Sequence, residues 1–407
     1  MDKRSSDEET PERAPATMLP TLITLLTMGA FGVMGGALIA PTLPTLSVAF
    51  GVAEDRVGLV LSVYTLSAAF ALPFIGLLID RIGRKPVAIA CLLIDGIFGV
   101  SSTFAPDFNI LLLFRFFQGL GIAGLIPIAM TVLGDLFKER NLRLKLMGIL
   151  SGTISGAAAL VPILGGALAE LDWRYPFFVY GFSLLLAAAF ATLVPETRDT
   201  TGIRTGLVQE ITHYLRRMKE ALGIPRVKET FAHAFILYFS LYSLVTYLPL
   251  FLVDYHGLSS FWAGMGLAVQ ASLAVIVASR ANWVDEKWNW TQKLTIGFGL
   301  MILSLATLPY WPSLLGVVAS LLIFGMGLGF VQPAVYHEAT AAPPKELAGS
   351  VVALFNTMKY IGMSASPFVL GFVAAYFPTS VLFLVSGGLC AFWVVFFNRR
   401  ALDARPS

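Results

Sequence analysis

Charge is what this sequence has least of. Asp, Glu, Lys and Arg supply 13% of its 407 residues, and apolar types supply 57%. Soluble domains carry roughly 25% charged residues. A soluble chain of this length would divide into two or three domains and need far more charge to coat them. The apolar excess therefore faces lipid. Cysteine is nearly absent as well: Cys91 and Cys390 each lie inside an apolar run, which excludes a disulfide framework and any zinc-type spacing. The first 17 residues mix both signs of charge. They lack the basic, then apolar, then small-residue order of a cleavable signal, and read as a disordered cytoplasmic tail. The net charge of +3 is small and dispersed, so no nucleic-acid partner is indicated.

Long apolar runs are abundant. A spanning helix needs about 20 mainly apolar residues. Twelve candidates occur, at 18–45, 57–79, 86–104, 109–135, 144–169, 177–194, 230–253, 261–282, 293–309, 314–336, 346–375 and 380–397. The first is too long for one straight span, and Pro41 and Pro44 are expected to end or bend it. With the N-terminus in the cytoplasm, 24 of the 28 basic residues fall in cytoplasmic segments or at the cytoplasmic ends of spans. Arg56 and Arg174 alone fall outside, and Arg115 and Lys359 fall within spans. This is the positive-inside bias of a correctly counted multi-pass protein, with both termini in the cytoplasm.

The longest polar stretch divides the chain. The expected organisation is a tail (1–17), a six-helix bundle (18–195), a cytoplasmic linker (196–229), a second six-helix bundle (230–398) and a tail (399–407). Within the linker, Val208, Ile211, Leu215, Met218 and Leu222 recur at helical spacing. They predict an amphipathic helix, either lying on the inner membrane surface or solvated. The two halves also echo each other. Leu43-Pro44, Asp80, Pro162 and Gly166 recur 205 positions later as Leu248-Pro249, Asp285, Pro367 and Gly371. Gly119, Gly121 and Pro127 recur 206 positions later as Gly325, Gly327 and Pro333. Repeats of six spans predict an all-α membrane protein of twelve helices in two pseudo-twofold-related bundles, with a substrate site between them.

The loop after span 2 reads Gly76-Leu77-Leu78-Ile79-Asp80-Arg81-Ile82-Gly83-Arg84-Lys85-Pro86. It resembles the cytoplasmic loop signature of the major facilitator superfamily. The resemblance implies that Gly76, Asp80, Gly83 and Arg84, with Asp135 at the end of span 4, form a gating latch between the halves. As topology anchors alone, Arg81, Arg84 and Lys85 would need no such partners. Arg115, Gln118, Gly119, Gly121 and Ala123 resemble the family's span-4 signature, whose arginine is tied to proton coupling. Gly148, Gly152, Gly156, Pro162, Gly165 and Gly166 resemble the glycine-rich span-5 signature of twelve-helix drug:proton antiporters, although Val161 replaces the usual glycine. Ordinary small-residue packing explains some of these glycines equally well. Gly36, Pro41 and Pro44 resemble the span-1 motif of that branch, and Pro195-Glu196-Thr197 is familiar punctuation after span 6. In the second half the likeness weakens: the 8–9 loop, Asn282 to Lys287, lacks the glycines.

Charges inside spans cost about 2.5–3.5 kcal/mol each at a helix centre. Asp95 and Arg115 flank a turn near Pro106 by 11 and 9 residues, so they lie at nearly equal depth and are expected to pair, directly or through water. The pair is either structural or a proton-coupling element. Lys359 has no mid-membrane carboxylate available from spans 1, 7, 8 or 10. It is read as a cavity residue, with snorkelling as the alternative, and Asn356 and Met363 share its helix face. Tyr64, Gln118, Tyr242, Tyr247, Gln270 and Gln332 are candidates for cavity lining, and each could instead bridge helices. His233 reads as an interface residue. One buried acid against two bases argues against a strongly cationic substrate.

No metal cluster, cofactor loop or nucleophile–base pair is present, so no cofactor and no enzymatic activity are expected. Gly119, Gly121 and Gly124 mimic a dinucleotide loop, but no strand precedes them. The resemblance implies a monomeric secondary transporter in the cell membrane, exchanging protons for small apolar or amphiphilic organic compounds. Organic anions or sugar-like metabolites, held by Arg115 and Lys359, are the alternative.

Overall fold

A computed structural model describes residues 18–198, 207–280, 286–344 and 347–403. The N-terminal tail, part of the linker, Asp285 and the last four residues lie outside that set. Among the described residues there is no strand. Eleven helical segments are long and apolar enough to cross a membrane: α1 Leu19–Phe50, α2 Glu54–Arg81, α3 Arg84–Phe104, α4 Phe108–Leu136, α5 Arg140–Leu171, α6 Tyr175–Leu193, α7 Pro225–His256, α8 Ser260–Ala278, α9 Trp290–Tyr310, α10 Leu314–Ala341 and α12 Thr379–Phe397. Between the last two runs α11, Ala348–Ala374, whose Asn356 and Lys359 dilute its apolar character. The α12 helix continues to Asp403, past its expected end.

Local chemistry sets the boundaries. The long first span breaks where its prolines predict. The α-helix ends at Ala37, a 3₁₀ turn covers Ala40–Thr42, and helix resumes over Leu43–Phe50. Gly51 then stops it in the left-handed conformation, φ 59°. Asp107 starts α4 by accepting from the amides of Asn109 and Ile110, both at 2.9 Å, which satisfies two of the orphan donors of a helix N-terminus. Phe70, Leu185, Phe372 and Phe392 project outward. So much exposed apolar surface is stable in lipid and a liability in water.

Glycines fix how the helices touch, and they do so twice. A methyl added at Gly121 would lie 2.7 Å from the amide nitrogen of Asp95, and one at Gly327 would lie 3.0 Å from that of Met301. A methyl at Gly119 would meet the Tyr64 carbonyl at 2.1 Å, and one at Gly325 the Gln270 carbonyl at 2.3 Å. Each contact recurs 206 positions later, so the sequence repeat is a repeat of packing. Bare backbone at these crossings brings α4 against α2 and α3, and α10 against α8 and α9.

The six-helix sets meet by the same symmetry. Gly166 of α5 packs on the Ser260 carbonyl of α8, where an added methyl would sit at 2.3 Å. Gly371 of α11 packs on the Asp55 carbonyl of α2, at 2.5 Å. The Ser62 hydroxyl donates to the Ser364 carbonyl at 2.6 Å, Glu170 accepts from the Phe261 amide at 3.1 Å, and Thr379 donates to Glu54. All of these lie at one end of the bundle. The opposite end carries the 2–3 loop with its basic residues. There, added methyls at Gly148, Gly152 and Gly156 of α5, at Gly76 of α2 and at Gly349 of α11 would meet nothing within 4 Å. On α5, Gly148 and Gly152 lie on the helix face that carries Gly166. The two sets thus meet at the far end, while Gly148, Gly152, Gly156, Gly76 and Gly349 face open space toward the basic end.

The linker helix, Leu207–Gly223, segregates polar from apolar residues. It lies against α7 and α11, with Ala221 buried and Met218 packed on the core. Part of its apolar face is therefore covered by protein.

Candidate transport site

Arg115, Gln118, Asp95 and Ser183 are wholly buried. The Arg115 guanidinium donates to the Gly35 carbonyl at 2.7 Å, to the Gln118 side-chain oxygen at 2.7 Å and to the Val60 carbonyl at 3.3 Å. It also lies 4.0 Å from the centre of the Tyr64 ring. The Gln118 amide nitrogen donates to Asp95 at 3.0 Å, and Ser183 donates to the other Asp95 oxygen at 2.6 Å. Asp95 and Arg115 share a depth, as the hairpin spacing predicts, and the Gln118 amide joins them in place of direct contact. Five helices meet in this network, and in low dielectric every satisfied partner matters. Gln118 is spent on it and does not face a cavity.

Next to it, consecutive glycines of α1 admit a tyrosine from either side. A methyl at Gly35 would lie 1.7 Å from the Tyr64 hydroxyl, and one at Gly36 would lie 2.5 Å from the Tyr242 hydroxyl. Tyr64 belongs to the first six helices and Tyr242 to the second. The Tyr64 hydroxyl is buried with no hydrogen-bond partner. Tyr247 is placed elsewhere: its hydroxyl donates to the Pro367 carbonyl at 3.2 Å, in the closed far end.

Lys359 has a different setting. Its ammonium donates to the Tyr336 hydroxyl at 3.3 Å and lies 5.3 Å from the ring centres of both Tyr238 and Tyr360. Tyr238 donates to Tyr336 at 3.4 Å and accepts from Gln332 at 3.1 Å. Among the described residues no carboxylate lies within 4.0 Å of Lys359. Lys359, Tyr336, Tyr360, Gln332 and Asn356 are half-buried. Asn356 donates back to Val352 at 3.0 Å, while Met363 is buried. Gln270 is buried, with its side-chain oxygen unpartnered. His233 packs among Trp290, Phe298, Trp393 and Phe397, its Nδ1 2.6 Å from the Glu229 carbonyl.

At the basic end Arg84 lies 3.3 Å from Asp135 and 3.6 Å from Asp80. The start of α3 is capped by a residue the sequence left as punctuation. Glu196 accepts from the Arg84 and Lys85 amides at 3.0 and 3.1 Å, and Thr197 donates to Asp135 at 2.9 Å. Gly83, at φ 123°, turns the chain beside Glu196. Asp80, Arg84 and Asp135 belong to the first six helices and Glu196 and Thr197 to the segment just after them, so none of these partners comes from the second six. Tyr238, Tyr336 and Tyr360 were also missed. The signal for Tyr238 was its place one turn before Tyr242.

The family model described as Major Facilitator Superfamily matches residues 25–367. The bacillibactin exporter of Bacillus subtilis is 25% identical over 96% of this chain and 98% of its own. The multidrug efflux protein YfmO of the same organism is 24% identical over 87% and 86%. In fold, a bacterial homologue of the human lysosomal transporter Spinster, solved inward-facing and unoccupied, superposes with a TM-score of 0.78 at 19% identity, over 97% of this chain and 100% of that one.

Proposed function

The chain belongs to the major facilitator superfamily, and from that premise we propose that it is a proton-coupled exporter of small apolar or amphiphilic organic compounds. With the basic end placed in the cytoplasm by the positive-inside bias, the open space beside those glycines faces inward, and the far-end contacts seal it from outside. The observation that carries the reading is the Asp95–Gln118–Arg115 network. It is an ionisable acid inside the membrane, tied by Arg115 to the backbone of α1 at Gly35, beside the glycine that Tyr242 of the second six helices touches. Loading or unloading a proton at Asp95 changes what Gln118 and Arg115 hold, and so biases which end is open. Relatives named as a bacillibactin exporter and a multidrug efflux protein favour outward movement.

The test is uptake of a broad panel of labelled compounds into inside-out membrane vesicles, with and without a proton gradient. Uptake that collapses with the gradient supports the reading. Gradient-independent uptake contradicts it. The anion alternative loses one of its two residues, since Arg115 is wholly buried and each of its three side-chain nitrogens already donates a hydrogen bond.

A further inference from the structure

We propose that Lys359, walled by Tyr238, Tyr336 and Tyr360, is the subsite for an acidic group on a planar aromatic substrate. This rests on the exporter reading and narrows its substrate class. An ammonium has three donors, and the structure engages one, with Tyr336 at 3.3 Å. The remaining contacts are the faces of Tyr238 and Tyr360, each at 5.3 Å. Ring faces attract the cation but accept no strong hydrogen bond. A lysine with no carboxylate within 4.0 Å among the described residues, at the middle of a spanning helix, is costly to maintain. An incoming carboxylate or acidic phenol supplies the missing charge.

Position and access agree with this. Lys359 sits 11 residues into α11, and it and its neighbours Tyr336, Tyr360 and Gln332 are half-buried rather than sealed. That partial exposure leaves them open to a ligand. The partly exposed Tyr336 and Tyr360 rings give a flat body surfaces to stack on. Tyr238 donates to Tyr336 at 3.4 Å and itself accepts from Gln332 at 3.1 Å, so the wall is fixed before the ligand arrives. The pseudo-symmetry supplies no second copy: the residue 205 positions before Lys359 is Ile154. One acid group per substrate is the expected stoichiometry.

The probes are 2-naphthoate and its neutral match, 2-naphthamide, titrated against the purified full chain in nanodiscs. The acid is expected to bind about tenfold or more tightly than the amide, the value of a charge-assisted hydrogen bond. Lys359→Met should erase that preference, and Lys359→Arg should restore it. Melting curves establish that each variant is folded; should Lys359→Met not fold, Lys359→Gln takes its place. Equal binding of acid and amide by the parent chain, binding of neither, or a preference that survives loss of the charge overturns the assignment. Proton-driven uptake of neutral compounds with no acid preference would sink the subsite and leave the exporter reading standing. An acid preference without proton dependence would do the reverse.

Discussion

Asp95 and Arg115 do not touch; the side-chain amide of Gln118 stands between them, 3.0 Å from the acid and 2.7 Å from the guanidinium. An amide serves both because it carries an acceptor at one end and donors at the other. Removing it leaves two buried ionisable groups short of a partner.

Gln118→Ala should therefore destabilise the protein by about 1–3 kcal/mol for each group left unsatisfied. Gln118→Glu should be tolerated better at the Arg115 end and worse at Asp95, where it places acid against acid. Thermal melts of the two variants check the order. Equal and negligible losses would show that the bridge contributes nothing.

Gly36→Ala should strain the contact between α1 and α7, since its methyl meets the Tyr242 hydroxyl at 2.5 Å and the ring carbon bearing it at 3.3 Å. Overpacking of this kind costs about 1–3 kcal/mol. Tyr242→Phe removes the nearer atom, so the double variant should recover most of the loss. A double-mutant cycle on melting temperature reads the coupling, and strict additivity would contradict the contact.

Ser62→Cys with Ser364→Cys should form a disulfide that locks the far end. The two hydroxyl oxygens are 3.3 Å apart, so a small shift brings the sulfurs within bonding distance. Cys91 and Cys390 are buried and unpaired, which keeps the background simple. Transport should stop on oxidation and return with reductant. Undiminished transport by the crosslinked protein would mean that the far end need not open.

Glu196→Ala should free the start of α3, because it removes the acceptor for two helix-terminal amides. Loss of such a cap costs about 0.5–2 kcal/mol. Local hydrogen exchange at residues 84–88 should rise while that of α9 stays fixed. Exchange that rises evenly through the chain would indicate a global effect instead.

What the sequence exposed and what it hid follow one physical line. Spans, their number and the repeat were legible because lipid imposes a length and a polarity on each segment. The prolines and bare glycines also mark helix contacts that recur at a fixed offset. The equal depth of Asp95 and Arg115 was legible from helix rise alone. The rotation of α3 against α4 and α6 was not, so Gln118 read as cavity lining and Ser183 went unnoticed. Glu196 caps residues 112 positions away, and no local pattern encodes such a pairing. The tyrosines around Lys359 come from three helices, and only packing brings their faces to one ammonium.

Proton movement driven by a substrate gradient tests the central claim most directly. Purified protein in proteoliposomes, with a pH-sensitive dye inside, would be given an outward or inward gradient of a transported compound. The account predicts protons moving against the compound's flow in the parent chain, and at least about tenfold less movement in folded Asp95→Asn, which cannot exchange a proton at that carboxyl position. Equal proton movement in the two proteins, or substrate transport with no proton movement at all, would contradict it.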